Sequence, residues 1–465
     1  MGHVAKSNGI ALKERQWRRL TRVCRRWRNV VFQSPRRLNL QLLCLPKRLA
    51  GDILEIWPPL PLVIHGAYHF YDRDKPPSIV SGNIIAALEH NDRVCEISLE
   101  CFPLSSLEYI ANSAAMQKPF PLLTDFWFGF NLYEYSGRFP NSILGGNAPH
   151  LRSLVLFGVA FPGLPKLLLS TTHLVFLRLD NIPYSGYIPP ESMATSLSAL
   201  TSLEHLYIRF QSPRPRPALD SRRPPPRPLT RSGLPSLTEI QFKGASEYLE
   251  EILARIDAPR LNNLHIKFFN QIIFDTPQLS QFISRGPTLR SPEMGHILFY
   301  SKATAIIFPL QISDYGVQLS VEILCRTSEW QLSSLEQVCN KSLPPVSTLE
   351  DLYIHEVPYL KQDWQDDVEN ASWLELLHPF VVVKNLYLSK DFLPRVAPAL
   401  QELVGGRTTE VLPTLENIFL EGFQPSGPLH EGIEKFVTAR GLTGLPVVVS
   451  RWDGNWKREL QKIYN

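Results

Sequence analysis

One short pattern returns ten times along this chain: an apolar residue, two variable residues, an apolar residue, one variable residue, an apolar residue. It reads Val94-Ile97-Leu99, Leu123-Phe126-Phe128, Leu151-Leu154-Leu156, Leu174-Leu177-Leu179 and Leu203-Leu206-Ile208. It continues as Leu237-Ile240-Phe242, Leu261-Leu264-Ile266, Leu349-Leu352-Ile354, Val383-Leu386-Leu388 and Leu415-Ile418-Leu420. A fixed internal period constrains architecture before any single residue does, because each repeat packs only on its neighbours and the stack can grow. From Val94 to Leu261 the first apolar positions are spaced by 29, 28, 23, 29, 34 and 24 residues. Each interval has room for one strand, a Pro- or Gly-rich corner and a short helix.

Apolar residues at these positions point one way from a short strand, and no single repeat can bury them alone. The fold class expected is α/β: a leucine-rich-repeat solenoid, with a curved parallel sheet and helices on its convex side. Helical stretches are predicted at Leu164–Leu169, Met193–Leu200, Glu247–Ile256, Gln278–Ser284, Trp373–Leu377 and Val396–Val404. The usual Asn or Cys three residues after the last leucine is mostly absent; Val159, Ile182 and Phe269 stand there instead. Between Leu261 and Leu349 the pattern weakens. Pro292 interrupts the repeat begun by Leu289, and Leu319-Val321-Ile323 alternates like a strand. About three repeats of roughly 29 residues are expected to fill that gap. An ordinary α/β domain with chance similarity between its strands is the competing architecture.

Charge divides the chain. Residues 1–48 hold 13 Lys/Arg against Glu14, and residues 212–231 hold six Arg against Asp220. The rest carries 29 basic against 42 acidic residues, so the net of +4 hides a basic head on an acidic body. The stretch SPRPRPALDSRRPPPRPLTRSG, residues 212–233, is Pro/Arg-rich and reads as an exposed, disordered insert in one repeat. No stretch approaches the ~18 consecutive apolar residues of a membrane helix, and no apolar segment follows the N-terminal charges as a secretory signal would. The six cysteines form no C-x-x-C pair and read as buried thiols of a reducing compartment.

The head reads WRRLTRVCRRWRNVVFQSPRRL from Trp17. Trp17, Leu20, Val23, Cys24, Trp27, Val30 and Val31 recur at spacings of three and four, one apolar face of a helix with arginines opposite. This segment resembles the C-terminal half of an F-box, whose most recognisable part is here Val23-Cys24-Arg25-Arg26-Trp27-Arg28 through Val31-Phe32. Together with the proline-rich, irregular repeats (WPPLPL, HNDRVCEISL, APHLRSL, FPGLPKLLLS), it is similar to fungal, basidiomycete-type F-box/leucine-rich-repeat proteins. Residues 1–16 contain no Leu-Pro-x-Glu segment, so the first half of that motif is missing or degenerate.

The organisation that follows is 1–16 as a degenerate start, 17–35 as partial F-box-like helices, 36–452 as the repeat solenoid, and 453–465 as a tail. The resemblance implies a substrate-recognition subunit of an SCF-type cullin ubiquitin ligase, cytoplasmic or nuclear. It also implies a Skp-family adaptor as partner, bound by Trp17, Leu20, Val23, Cys24, Trp27 and Val31, more weakly than by a complete motif. The same apolar stripe could instead cap the open end of the repeats.

An unknown protein target is expected on the concave face, where the variable positions of each strand meet solvent. Trp127, His205, Tyr207, Arg209, Lys243, His265, Lys267, Tyr353, His355, Tyr387 and Phe419 stand there. Tyr, Trp and His bring large contact area with a polar handle, as protein-binding hot spots do, although a solvated face without a partner has the same composition. The alternative function is an interaction scaffold with no ubiquitin-ligase link. A basic head could also serve nucleic-acid binding, nuclear import or mitochondrial import, none of which is preferred. No enzyme, cofactor, metal or membrane is expected: G-x-S-x-G, H-E-x-x-H, P-loop and G-x-G-x-x-G motifs are missing, and the His65, His69, Asp72, Asp74 group is too loosely spaced for a ligand set.

Overall fold

All ten apolar triads lie on or at the entry of strands, and every one of their residues is at most 4% exposed. The alternation that buries them leaves the residues between them on the opposite face of the sheet. The computed structural model describes residues 19, 21–33, 40–45, 54, 58–67, 77–130, 137–212, 231–270, 273–286, 288–289, 292–309, 317–325, 328–341, 343–356, 370–422 and 428–453. It divides into two bodies, Met1–Arg214 with Ser232–Leu237 and Pro215–Arg231 with Thr238–Asn465. Each is described on its own. Residues 1–16, Trp17, Leu20, His69, Asp72, Asp74 and most of the Pro/Arg-rich stretch lie outside the described residues.

In the first body the main sheet runs in chain order. Its strands are β1 (Leu42–Cys44), β2 (Leu62–Ala67), β3 (Val94–Phe102), β4 (Asp125–Phe130), β5 (Ser153–Phe157), β6 (Phe176–Ile182) and β7 (His205–Phe210), all parallel. Turn residues tie each repeat to the next: Arg152 N–H donates to Thr124 O at 2.7 Å, Val175 N–H to Arg152 O at 2.8 Å, and Glu204 N–H to Val175 O at 2.9 Å. The head helix α1 (Arg25–Gln33) precedes the sheet, and α2 (Pro77–Leu88), α3 (Leu104–Ala111), α4 (Leu164–Ser170) and α5 (Pro190–Leu197) fill the crossovers. Proline opens α4 and α5 at their first turns, where its missing N–H costs nothing. Val159 and Ile182, which replace the usual polar residue after the triad, are buried, so the corners close on apolar contacts.

In the second body the order changes. Strands β8 (Glu239–Gly244), β9 (Asn263–Phe268), β10 (Met294–Tyr300), β11 (Ala303–Pro309), β12 (Val317–Leu324), β13 (Asp351–Glu356), β14 (Asn385–Leu388), β15 (Asn417–Glu421) and β16 (Val448–Trp452) pair as β8-β9-β12-β11-β10-β13-β14-β15-β16. Helices α6 (Ser246–Leu253), α7 (Pro277–Arg285), α8 (Ser328–Lys341), α9 (Asn370–Leu377), α10 (Leu393–Gln401) and α11 (Pro428–Leu442) complete it.

The three repeats expected between Leu261 and Leu349 are not there. In their place β10, β11 and β12 form an antiparallel meander inserted between parallel neighbours. The local reason is visible in MGHILFY and ATAIIFP. Both strands are buried on both faces, and only Ser301 and Lys302 join them, a connection that can make a hairpin but cannot hold a helix. The remaining helix expectations are met within a few residues, which is the usual uncertainty of helix ends.

Candidate functional site

On the face opposite the triads, the first body gathers charge and aromatic surface on β6 and β7. Asp180 is 9% exposed. Its Oδ2 accepts from Arg178 Nε at 3.1 Å, Arg178 Nη2 at 2.7 Å and Arg209 Nη1 at 3.2 Å. Two guanidiniums are thus held against one buried carboxylate, and each keeps about a third of its side chain exposed, 36% and 33%. Both lie over the Tyr207 ring, each 5.9 Å from its centroid. Phe176 sits 5.2 Å from Tyr207 and 5.7 Å from His205. Parallel register sets this grouping: Arg178 is opposite Tyr207, and Phe176 is opposite His205.

The same register continues across the sheet. Trp127 on β4 is opposite Val155 on β5, which is opposite Arg178. Gly129 keeps the floor open at this point, since a Cβ there would sit 3.1 Å from Phe157 Cβ and 3.6 Å from Trp127 Nε1. Farther along, β2 and β3 carry His65, Glu96, Ser98 and Glu100. His65 Nε2 and Glu96 Oε1 are 3.0 Å apart in a pair nearly closed to solvent.

The second body carries a ladder of stacked rings. His296, Tyr353, Tyr387 and Phe419 are register partners on β10, β13, β14 and β15. Their successive centroids are 4.6, 4.1 and 4.5 Å apart, and the rings are nearly parallel. Trp452 packs across Tyr353 and Tyr387 at 5.8 and 5.5 Å. One step along, an amide row follows the same order: Asn417 Nδ2 donates to Asn385 Oδ1 at 2.8 Å, and Asn385 Nδ2 to Asp351 Oδ1 at 2.6 Å. Burial holds His296 down to about 4 and pushes Tyr387 up. On β9, His265 Nδ1 lies 2.9 Å from Ser320 Oγ, and Lys267 pairs with Glu322 of β12. Lys243 Nζ rests 5.6 Å from the Phe269 ring.

Ten of the eleven residues expected on the recognition face are half-buried there. His355 is the exception. It points to that face but is fully buried, with its ring 5.3 Å from His296 and its register partner Leu298 beside it. The face is apolar at this level, filled by Leu298, Ala305 and Ile307 with Tyr300 and Trp452 packed against them. His355 is a core residue and not a contact for a partner.

Of the head residues, Val23 is 65% exposed, Trp27 is 50% exposed and Cys24 is exposed, whereas Val31 is 2% exposed and turns inward. Val31 therefore leaves the adaptor-facing set. Val30 is 54% exposed and stands beside Trp27 on α1. Sequence reasoning did not single out Phe176, Arg178, Asp180, His296 or Trp452. The first two follow the same positional rule as Tyr207 and could have been found by it.

Cys44, Cys325 and Cys339 are buried and Cys95 half-buried, while Cys24 is exposed. Burial pushes the Cys95 and Cys325 thiols up to about 12, far from the thiolate that nucleophilic chemistry needs. Among the described residues no helix is long and apolar enough to cross a membrane.

No protein-family model matches this chain, and no curated protein matches its sequence. Among solved structures it is similar to the leucine-rich repeat-containing protein LegL7 from Legionella pneumophila, at 13% identity and a TM-score of 0.24. The likeness covers 85% of this chain and 97% of that one.

Proposed function

We propose that this chain is a non-enzymatic recognition subunit of an SCF-type cullin ubiquitin ligase, working in the cytoplasm or nucleus. The sheet faces select a protein target, and the head docks on a Skp-family adaptor. What supports target selection is the run of half-exposed aromatic and arginine side chains at the variable strand positions, on parallel strands that fix their spacing. What supports docking is the F-box-like motif together with the solvent-facing Val23, Trp27 and Val30 of the head. Large apolar groups left in water on a short basic helix and in the turn before it suit a hydrophobic partner surface. The chain's role is to raise the concentration of a target near the ligase machinery.

Co-purification of the tagged full chain with a recombinant Skp-family adaptor tests the docking. A stable complex is expected, weakened at least about tenfold by Trp27→Glu, since a charge would replace an interfacial aromatic. Trp27 is half-exposed, so circular dichroism should show the variant folded. If the adaptor never co-elutes with the wild-type chain, the protein is an interaction scaffold without a ligase link.

A further inference from the structure

We infer that the second body takes a lysine- or arginine-bearing segment of its protein partner at the entry end of β10, β13, β14 and β15. This deepens the recognition reading above and rests on it. The argument is charge complementarity on a frame that backbone bonds hold in register. The turn residues Glu293, Glu350, Lys384 and Glu416 follow one another across the sheet. Glu350 N–H donates to Glu293 O at 2.9 Å, Lys384 N–H to Glu350 O at 2.9 Å, and Glu416 N–H to Lys384 O at 2.8 Å. The row spans three strand spacings, about 14 Å. One ammonium serves it: Lys384 Nζ donates to Glu350 Oε2 at 3.0 Å, and Glu416 and Asp351 act on the same charge. Glu293 and Glu416 are exposed and have no ion-pair partner among the described residues. Four carboxylates thus meet one lysine, and the entry end is net negative.

The face beside this row suits the same guest. The amide row runs from Asn417 through Asn385 to Asp351, which leaves Asn417 Oδ1 at one end and Asp351 Oδ2 at the other with no donor among the described residues. Two positions along β10 from Met294, His296 is 8% exposed, and its Nδ1 is closed to solvent without a hydrogen-bond partner. A buried polar atom is rarely left so, and this one belongs to the same face. Phe419 ends the ring stack beside Ser450, so its outer face meets no further ring among the described residues and can receive a cation. An acidic segment meets like charge at this end. A lysine or arginine meets carboxylates, idle acceptors and one ring face in turn.

The test is fluorescence anisotropy of the full chain with a short labelled peptide of alternating lysine and serine. Matched peptides carry glutamine or glutamate in place of lysine. Two or three exposed ion pairs should make the lysine peptide bind about tenfold tighter than the glutamine peptide, an advantage that shrinks as salt is raised. Glu293→Gln combined with Glu416→Gln changes only exposed side chains, so the fold should hold, and it should cut the advantage to about threefold or less. Glu89→Gln combined with Asp92→Asn removes two exposed acids from the first body and should leave the advantage unchanged. Equal binding of the lysine and glutamine peptides, tighter binding of the glutamate peptide, or an unchanged preference in the Glu293/Glu416 variant each overturns the inference. An equal loss in the Glu89/Asp92 variant overturns it too, because attraction would then come from the acidic body at large. If no peptide binds, the inference also fails, and the adaptor assay decides the broader reading by itself.

Discussion

Arg440 is a fully buried charged side chain among the described residues of the second body, and replacing it should loosen one end of that body measurably. It projects from α11 and is fully buried. Nη1 donates to Thr408 O at 3.0 Å and Leu412 O at 3.4 Å; Nη2 donates to Pro413 O at 3.1 Å and Leu415 O at 3.0 Å. The loop it grips holds Leu412 at φ 49, a left-handed conformation that a leucine adopts only when its surroundings impose it. The loop then delivers Leu415 into the triad of β15.

Arg440→Met keeps the apolar stem and removes every donor. Leu412 O retains the Leu415 N–H, so three carbonyls lose their partner among the described residues. At about 1–1.5 kcal/mol each, that loss comes to about 3–4 kcal/mol. Relief of a buried cation whose Nε has no acceptor offsets about 1 kcal/mol. The net is about 2–3 kcal/mol. For a chain of this length melting as one unit that lowers Tm by about 2–3 °C, and by more if the second body melts alone. Differential scanning calorimetry reads the shift, and hydrogen exchange should show faster amides over 408–416. Arg440→Lys, with one compact ammonium, should fall between. An unchanged melt together with unchanged exchange at Arg440→Met would refute the reasoning, because it would mean that the carbonyls never depended on the guanidinium.

His296 predicts a pH dependence. Its folded value of about 4 lies below the ordinary 6.5, so the unfolded chain binds the proton first as pH falls. Stability is full above about 6.5 and is lost as pH drops toward 4, by up to about 3 kcal/mol. His296→Phe keeps the stacked ring and should flatten the melt-versus-pH curve across that window; parallel curves for the two proteins would sink the idea. Gly163 opens α4 against backbone: a Cβ there would lie 2.3 Å from Asn141 O and 2.8 Å from the Phe161 ring. Gly163→Ala should cost about 1–3 kcal/mol by overpacking, read as a lower urea midpoint; an unchanged midpoint would show that the corner yields freely.

The repeats were legible because the leucine positions carry a single instruction: bury this face. Every triad obeyed it. The meander was not legible, since β10 and β11 are apolar on both faces and so lack the alternation that marks a half-buried strand. The same fact hid the fate of His355. Reading one strand at a time places it in solvent, and only the register with Leu298 shows what lies beside it. Arg440 was silent for a different reason. An arginine near the end of a polar helix reads as a solvated charge, and its acceptors are backbone atoms that no side-chain pattern reports. The Arg178–Asp180–Arg209 trio was half visible: all three stand at positions that the leucine pattern turns away from the core, but Asp180, placed on β6 where Arg209 is on β7, looked like one more acid of an acidic body.

The inserted meander bears on how the chain is made. Repeats in chain order can close one after another as they leave the ribosome, each new strand finding its partner already waiting. Strand β9 cannot, because its neighbour β12 is synthesised after β10 and β11. About 50 residues separate them, so at ~5–20 residues per second the edge of β9 stands open for about 3–10 seconds. The first strand to appear in that interval is β10, which in the finished protein lies two strands further out. The second body therefore carries a timing problem that the first does not: it must hold an unpaired edge until its proper neighbour exists, and a premature β9–β10 pairing is the error it has to avoid.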